Sequence, residues 1–461
     1  MPDRADDHLS PVTAGIPDLV LVGATTLVAA GPDRAEFQVC TVEVTDGRIT
    51  AITSATDELP QVAAAEVIDA CGLVLLPGFV NTHCHAAMTL LRGAAEDVTV
   101  RAWFDDFIWP MEVNLQPDDV YLGTMAAAAE MISCGVTTVA DHYFFMEQAA
   151  RAVIDSGMRA DLGSAFFSSQ GDDGFERSVG FARDWHGAAG GRITTSIAPH
   201  APYTCSDADL TRAADAARDL GVRVHIHAAE DMHQTEVSLR ERALTPIQVL
   251  ERTGVLDAGA IIAHGNGIVP IDLPVLARYA DRVGVTHGPK GYLRFALGPL
   301  TPIRGLLAAG VPVGYCTDGA ASNSTLDIAE NMRVAAMSQK QAEGDSTWFT
   351  SSLALHLAGP GSAATIGRSQ DLGSVRVGAA ADLILVDVSG IHCQPLHDLA
   401  AALVYSLQPN DVRTTIVAGR VLMRDRRLLT IDLPALLDEF RSRAVALTDR
   451  SHGRRIQDYT T

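Results

Sequence analysis

Two pairs of histidines carry the first chemical signal. In Asn81-Thr82-His83-Cys84-His85 the histidines stand two apart. Alternate residues of a strand share a face, so both imidazoles can point into one opening and chelate one cation. The second pair lies in Val224-His225-Ile226-His227-Ala228-Ala229-Glu230. There His227 would supply the next ligand, and Glu230, on the loop just beyond, would overhang the site as an acid or base. Standing alone, that pair would read first as two core histidines. Two further apolar runs end in a polar residue, Ile261-Ile262-Ala263-His264 and Val313-Gly314-Tyr315-Cys316-Thr317-Asp318. Barrel enzymes assemble their sites from the C-terminal ends of several strands, so strand ends carrying His, His, His and Asp form one convergent constellation. Three neutral imidazoles and a carboxylate suit a single divalent ion, zinc first, with iron or manganese permitted by the same donors. Neither H-E-x-x-H, P-C-x-x-C, a P-loop nor G-x-S-x-G occurs in the sequence.

Those residues need strands to hold them. After Pro77-Gly78, short β-rich runs alternate with alanine-rich helical stretches: a helix over Met125–Met131 precedes the run Gly135 to Ala140, and a helix over Asp207–Leu220 precedes Arg223 to His227. Ile193 to Ile197, Ala260 to Ala263 and Val311 to Tyr315 continue the pattern. Strand then helix, repeated over this span, predicts an α/β fold with a (β/α)8 TIM-like barrel. On either side the texture is short strands and turns. Val42-Glu43-Val44 leads through Asp46-Gly47 into Arg48-Ile49, a hairpin signal. Val375 to Gly378, Asp382 to Val386 and Thr414 to Val417 resemble it near the other end, before a closing helix over Pro434–Ala446. The expected organisation is a tail over 1–15, a small composite β-sandwich domain from 16–77 with 371–461, and a metal-dependent hydrolase barrel over 78–370.

Composition narrows the function. Across 461 residues, 56 acidic against 35 basic side chains give a net charge of −21, which repels phosphate backbones and anionic lipid. Neither nucleic acid nor membrane is an expected partner; the partner is a small-molecule substrate, and the chain is expected to form a homo-oligomer. Lys290 and Lys340 are the only lysines, which leaves lysine-based chemistry almost no candidates. Seven scattered cysteines without a C-x-x-C pair suit a reducing compartment. The acidic start lacks the order of a signal peptide, and no run approaches the roughly 18–20 apolar residues of a membrane span, so a cytoplasmic protein is expected.

Pro77-Gly78-Phe79-Val80-Asn81-Thr82-His83-Cys84-His85 with Thr89-Leu90-Leu91-Arg92-Gly93 resembles the amidohydrolase superfamily. Within it the likeness is to the branch of S-adenosylhomocysteine, methylthioadenosine and adenosine deaminases and s-triazine hydrolases. Asp46-Gly47-Arg48-Ile49 and Gly378-Ala379-Ala380-Ala381-Asp382-Leu383 resemble the composite β-domain of the same superfamily. The resemblance implies His83, His85, His227 and Asp318 as ligands of one divalent metal ion, Zn²⁺ foremost, with Glu230 as proton shuttle and His264 orienting the attacking water. It also implies that Asp318 takes the water's proton. Glutamate at position 230 points to deamination, because an amine leaves only with a proton, whereas a dechlorinase of this branch tends to carry an amide there.

Two segments bear on the substrate. Trp109-Pro110-Met111-Glu112 resembles the stretch in which adenosine-type deaminases present a glutamate to the ribose diol, and a carboxylate accepting from two hydroxyls makes charge-assisted bonds. Ala198-Pro199-His200-Ala201-Pro202-Tyr203 resembles the segment whose histidine contacts the purine. Thr286-His287-Gly288-Pro289-Lys290 departs from the branch pattern and adds Lys290 at the barrel mouth, where it could meet an anionic group. The expected activity is deamination of a 6-aminopurine nucleoside such as adenosine, 5′-deoxyadenosine or methylthioadenosine. A free aminated heterocycle, a pterin, guanine-type base or s-triazine, is the alternative substrate. Asp141, His142, His397 and Asp398 read as structural.

Overall fold

A computed structural model describes residues 16–54 and 64–459. The expected tail over 1–15 lies outside the described residues. Five strands come first: β1 (Leu19–Ala30), β2 (Ala35–Thr45), β3 (Arg48–Ser54), β4 (Glu66–Asp69) and β5 (Val74–Pro77). Asp46 and Gly47, at φ 51° and 72°, make the two-residue turn between Thr45 and its partner Arg48. Positive φ at both positions matches the twist of the paired strands, which is why Asp-Gly marks the hairpin.

Eight strands follow: β6 (Phe79–Cys84), β7 (Val136–Tyr143), β8 (Arg159–Phe166), β9 (Ile193–Pro199), β10 (Arg223–Ala228), β11 (Ala260–His264), β12 (Val283–His287) and β13 (Val313–Tyr315). They form one parallel sheet in sequence order, with helices covering its outer side. The seam between β6 and β13 is bridged by side chains. Asn81 Nδ2 donates to Thr317 Oγ1 at 2.7 Å, and Thr317 N donates to Asn81 Oδ1 at 3.0 Å. Asp318 N then reaches His83 O at 3.1 Å. The nearly closed barrel is the predicted one, and its seam falls beside the first histidine pair.

Four strands complete the second sheet: β14 (Leu383–Val386), β15 (Val412–Val417), β16 (Arg420–Arg424) and β17 (Arg427–Leu428). Its order, β17-β16-β15-β14-β5-β1-β2-β3 with β4 beside β1, joins both ends of the chain. The sheet folds over so that Arg48 bridges to Ala380, and Leu19, Val42, Ile49, Leu75, Leu383 and Ile416 share one core. Successive strand residues face opposite ways. Leu383 and Leu385 therefore enter that core, while Ile384 and Val386 join the larger core running into the barrel. Val375 to Gly378 is a turn rather than the expected strand; it presents the Gly378 and Ala379 backbone to Ile49. The closing helix runs Leu433–Leu447, and its Arg443 holds Asp119 on the helix Pro117–Ser133 through bonds of 2.6 and 2.8 Å. Among the described residues no helix is long and apolar enough to cross a membrane.

Candidate metal centre and active site

The strand ends converge as the spacing predicts. His83 and His85 leave β6 on one side, and His227 and His264 end β10 and β11. His227 Nε2 lies 3.3 Å from His85 Nε2, and Asp318 Oδ1 lies 3.1 Å from His85 Nε2 and 3.4 Å from His83 Nε2. Ligand atoms of His83, His227 and His264 lie within 4.8 Å of one another, as do those of His83, His85 and Asp318. Backbone strain helps aim these groups: Ala229, His264 and Asp318 have φ of 50°, 80° and 55°. Each such conformation in a non-glycine residue costs about 1–3 kcal/mol, and such costs cluster where a site must be held.

The donor set fits a divalent cation. Burial holds His83 down to about 3 and His264 to about 4, and keeps His227 well below its ordinary value, so these imidazoles are neutral and offer lone pairs. Outer partners fix which nitrogen faces inward. His83 Nδ1 meets His225 Nε2 at 2.8 Å, His227 Nδ1 meets the His200 carbonyl at 2.8 Å, and His85 Nδ1 meets the His142 carbonyl at 2.5 Å. His83 Nε2 is left buried with no hydrogen-bond partner. A buried polar atom without a partner is costly, and a metal ion here would satisfy it. Burial opposes charge on His85, yet Asp318 lifts it to about 9. Burial also opposes charge on Asp318, but the His83 and His85 imidazoles beside it hold it well below the carboxylate range. A carboxylate that draws a proton onto a buried imidazole sits where a cation belongs.

The cavity above this cluster has a volume of about 870 Å³, its open mouth included. Glu230, His200, Trp109 and Glu112 all line it, together with His85, His227, His264 and Asp318. Burial pushes Glu230 up to about 7, against Gln234 and Tyr203, whose side chains favour the carboxylate. Gln234 caps the turn by accepting from Glu230 N at 3.1 Å. Glu112 is carried on the helical turn Trp109–Glu112, which continues a π-helical turn over Trp103–Ile108. It is buried, receives the Tyr143 hydroxyl at 2.5 Å, and is pushed by burial to about 7.

One expected residue lies elsewhere. Lys290 Nζ bonds Glu330 at 2.7 Å and Thr325 at 3.1 Å, and it is not among the residues lining the cavity. The helix Pro289–Arg294 turns that side chain toward the neighbouring helix that carries Glu330, which the sequence position alone does not disclose. His142, read as structural, instead lines the cavity at the end of β7, and its Nε2 is buried without a partner. A histidine at a strand's C-terminal end was the available signal, the same one that marks His227 and His264. Asp141 beside it accepts from Ala86 N at 2.8 Å and so pins the loop carrying His85. Asp398 caps the helix Leu399–Tyr405. The aromatic wall of Trp103, Phe104, Phe167, Tyr292 and Phe295 had no legible spacing in the sequence.

A barrel with four histidines and an aspartate at its C-terminal rim, joined to a sheet built from both chain ends, describes a class of metal-dependent hydrolases. The Amidohydrolase family model matches residues 74–422, and the chain belongs to that family. It is 40% identical over 94% of its length to 99% of a 5-methylthioadenosine/S-adenosylhomocysteine deaminase of Pelotomaculum thermopropionicum. A 5′-deoxyadenosine deaminase of Methanosarcina mazei is 37% identical, with coverage of 94% and 99% of the two chains. The fold superimposes with a TM-score of 0.88 on a zinc-bound adenosine deaminase of Xanthomonas campestris, at 31% identity, covering 93% of this chain and 99% of that one.

Proposed function

We propose that the protein is a metal-dependent aminohydrolase that converts an adenosine-like 6-aminopurine nucleoside and water into the 6-oxopurine nucleoside and ammonia. The observation that carries this reading is the pairing, across one cavity, of a half-buried Glu230, lifted by desolvation to about 7 beside the cation cluster, with a buried Glu112. The first suits proton donation to a ring nitrogen at neutral pH. The second suits a vicinal diol. The deaminase relatives support the same reading.

His83, His85, His227 and Asp318 would hold the divalent ion, zinc foremost. Bound there, such an ion acts as a Lewis acid that lowers the pKa of a water toward neutrality. His264 would hold the water's oxygen toward the substrate carbon that bears the amine. Asp318 would accept the water's proton as the C–O bond forms. Glu230 would donate to the neighbouring ring nitrogen, so negative charge does not build up on the heterocycle. When the C–N bond breaks, a proton passes to the departing nitrogen and ammonia leaves. His200 and Trp109 would flank the base, and Glu112, steadied by Tyr143, would accept from the ribose hydroxyls.

The test is ammonia release from adenosine, 5′-deoxyadenosine and methylthioadenosine against guanine, a pterin and melamine, with the metal measured by elemental analysis. Turnover of the nucleosides with one zinc per chain is the expected result; turnover of the free heterocycles alone would replace this reading.

We further infer the division of the chain into 16–77 with 371–461 and 78–370, which the separate core of the folded sheet supports. A cytoplasmic enzyme is consistent with its free cysteines. Its surface charge makes nucleic acid an unfavourable partner. The expected homo-oligomer is tested by sedimentation.

A further inference from the structure

The segment after the closing helix packs against the outer side of the stretch that supplies Phe104 and Trp109 to the cavity. Ile456 N donates to the Trp109 carbonyl at 3.3 Å, and Tyr459 N donates to Asp105 Oδ1 at 3.0 Å. On the opposite side, the Gln457 side chain meets Ser169 at 2.8 Å. The Tyr459 ring stacks on Phe104 at 4.9 Å, tilts against Trp109 at 6.3 Å and meets the edge of Tyr203 at 5.9 Å. At 6% exposure it is a wedge rather than a fringe. The segment therefore adds a tie between the Trp103–Glu112 stretch and the loops after β8 and β9, which also meet through Trp109 against Phe167 and His200.

Charge is the second observation. Among the described residues lining the cavity there is no Lys or Arg, while Glu112, Glu230 and Asp318 are all present. The arginines nearby are engaged: Arg455 with Asp105 at 3.3 Å, Arg294 with Glu96 and the Ser322 carbonyl, and Arg450 with the Asp106 carbonyl at 2.6 Å. An anionic substituent entering this space would lose its hydration and find no cation.

With the reacting carbon at the metal cluster and the diol at Glu112, what lies beyond the ribose meets the wall carried by the same stretch at Phe104. We infer that the site selects an aminopurine nucleoside whose 5′ side is small and uncharged, and that Tyr459, stacked on Phe104, is the positioning residue that holds that wall in place. The inference rests on the aminohydrolase reading. It discriminates among the substrates that the relatives' names span, since a methylthio or deoxy 5′ group fits an apolar wall and a homocysteine carboxylate or a 5′-phosphate does not.

The experiment measures kcat/KM of the zinc-loaded full chain for methylthioadenosine, 5′-deoxyadenosine, S-adenosylhomocysteine and adenosine 5′-phosphate. The unmodified protein should favour the first two over the last two by at least about tenfold. Tyr459→Ala should shrink the ratio of methylthioadenosine to S-adenosylhomocysteine severalfold, and Tyr459→Phe, which keeps the stacked ring, should preserve it. Equal turnover of the charged and uncharged nucleosides by the unmodified protein would overturn the inference and leave the aminohydrolase reading standing. So would a ratio untouched in Tyr459→Ala. Ammonia from none of the four would remove both.

Discussion

Glu230 shows how environment converts an ordinary side chain into a reagent. A glutamate free in water is ionised at neutral pH; burial lifts this one to about 7, so much of it keeps its proton under conditions where the His264 imidazole is neutral. The sign of the pH dependence follows. The protonated carboxyl predominates below about 7 and gives way to carboxylate above it. A step that needs that proton slows as pH rises through this value, and kcat/KM for a nucleoside is expected to fall there. Glu230→Gln should keep its metal, lose roughly 10²–10⁴ in rate, and lose that limb of the pH profile. Unchanged turnover in the variant would take Glu230 out of the reaction.

At the scale of elements, the stretch Thr99–Glu112 does what a regular helix would not. Its π-helical turn over Trp103–Ile108 shifts the side-chain phase, so that Trp103, Phe104, Trp109 and Glu112 all reach one cavity. Such turns recur at functional sites for this reason. Glu112 then depends on β7, whose Tyr143 supplies the one hydroxyl bonded to it. Glu112→Ala should raise KM for a nucleoside roughly ten- to hundredfold, the cost of losing charge-assisted bonds, with a much smaller effect on the corresponding free base. Equal losses on the two substrates would argue that the carboxylate only supports Tyr143.

The molecule as a whole is held in register by a buried ion pair at the bottom of the barrel. Arg159, at the start of β8, bonds Asp382 through two nitrogens at 2.7 and 3.0 Å, and Asp382 also accepts from Ala418 N at 2.8 Å. Both side chains are under 7% exposed, so solvent screens the pair little. Removing one partner from such a pair strands a buried charge at a cost of about 3–5 kcal/mol. Asp382→Ala should lower the denaturant midpoint accordingly, while the folded fraction binds as much zinc as before. A midpoint that does not move would mean that the other contacts between sheet and barrel, such as Thr415 Oγ1 to the Ile132 carbonyl, hold them together without this pair.

Much of this was legible in the chain. Histidines two apart can share a strand face whatever lies around them, because the side-chain period of a strand is fixed by the backbone. Pro-Gly before the first pair, Asp-Gly in the hairpin and the alternation of β-rich with alanine-rich runs are equally local, and they were enough to predict the barrel and the histidine-rich cluster at its rim. The cavity's aromatic wall, the turn of Lys290 onto Glu330, the place of His142 in the cavity and the packing of the Tyr459 segment against Phe104 were decided only in three dimensions. Each depends on residues far apart in sequence coming within a few ångströms, and no spacing rule along one chain encodes which surfaces will meet.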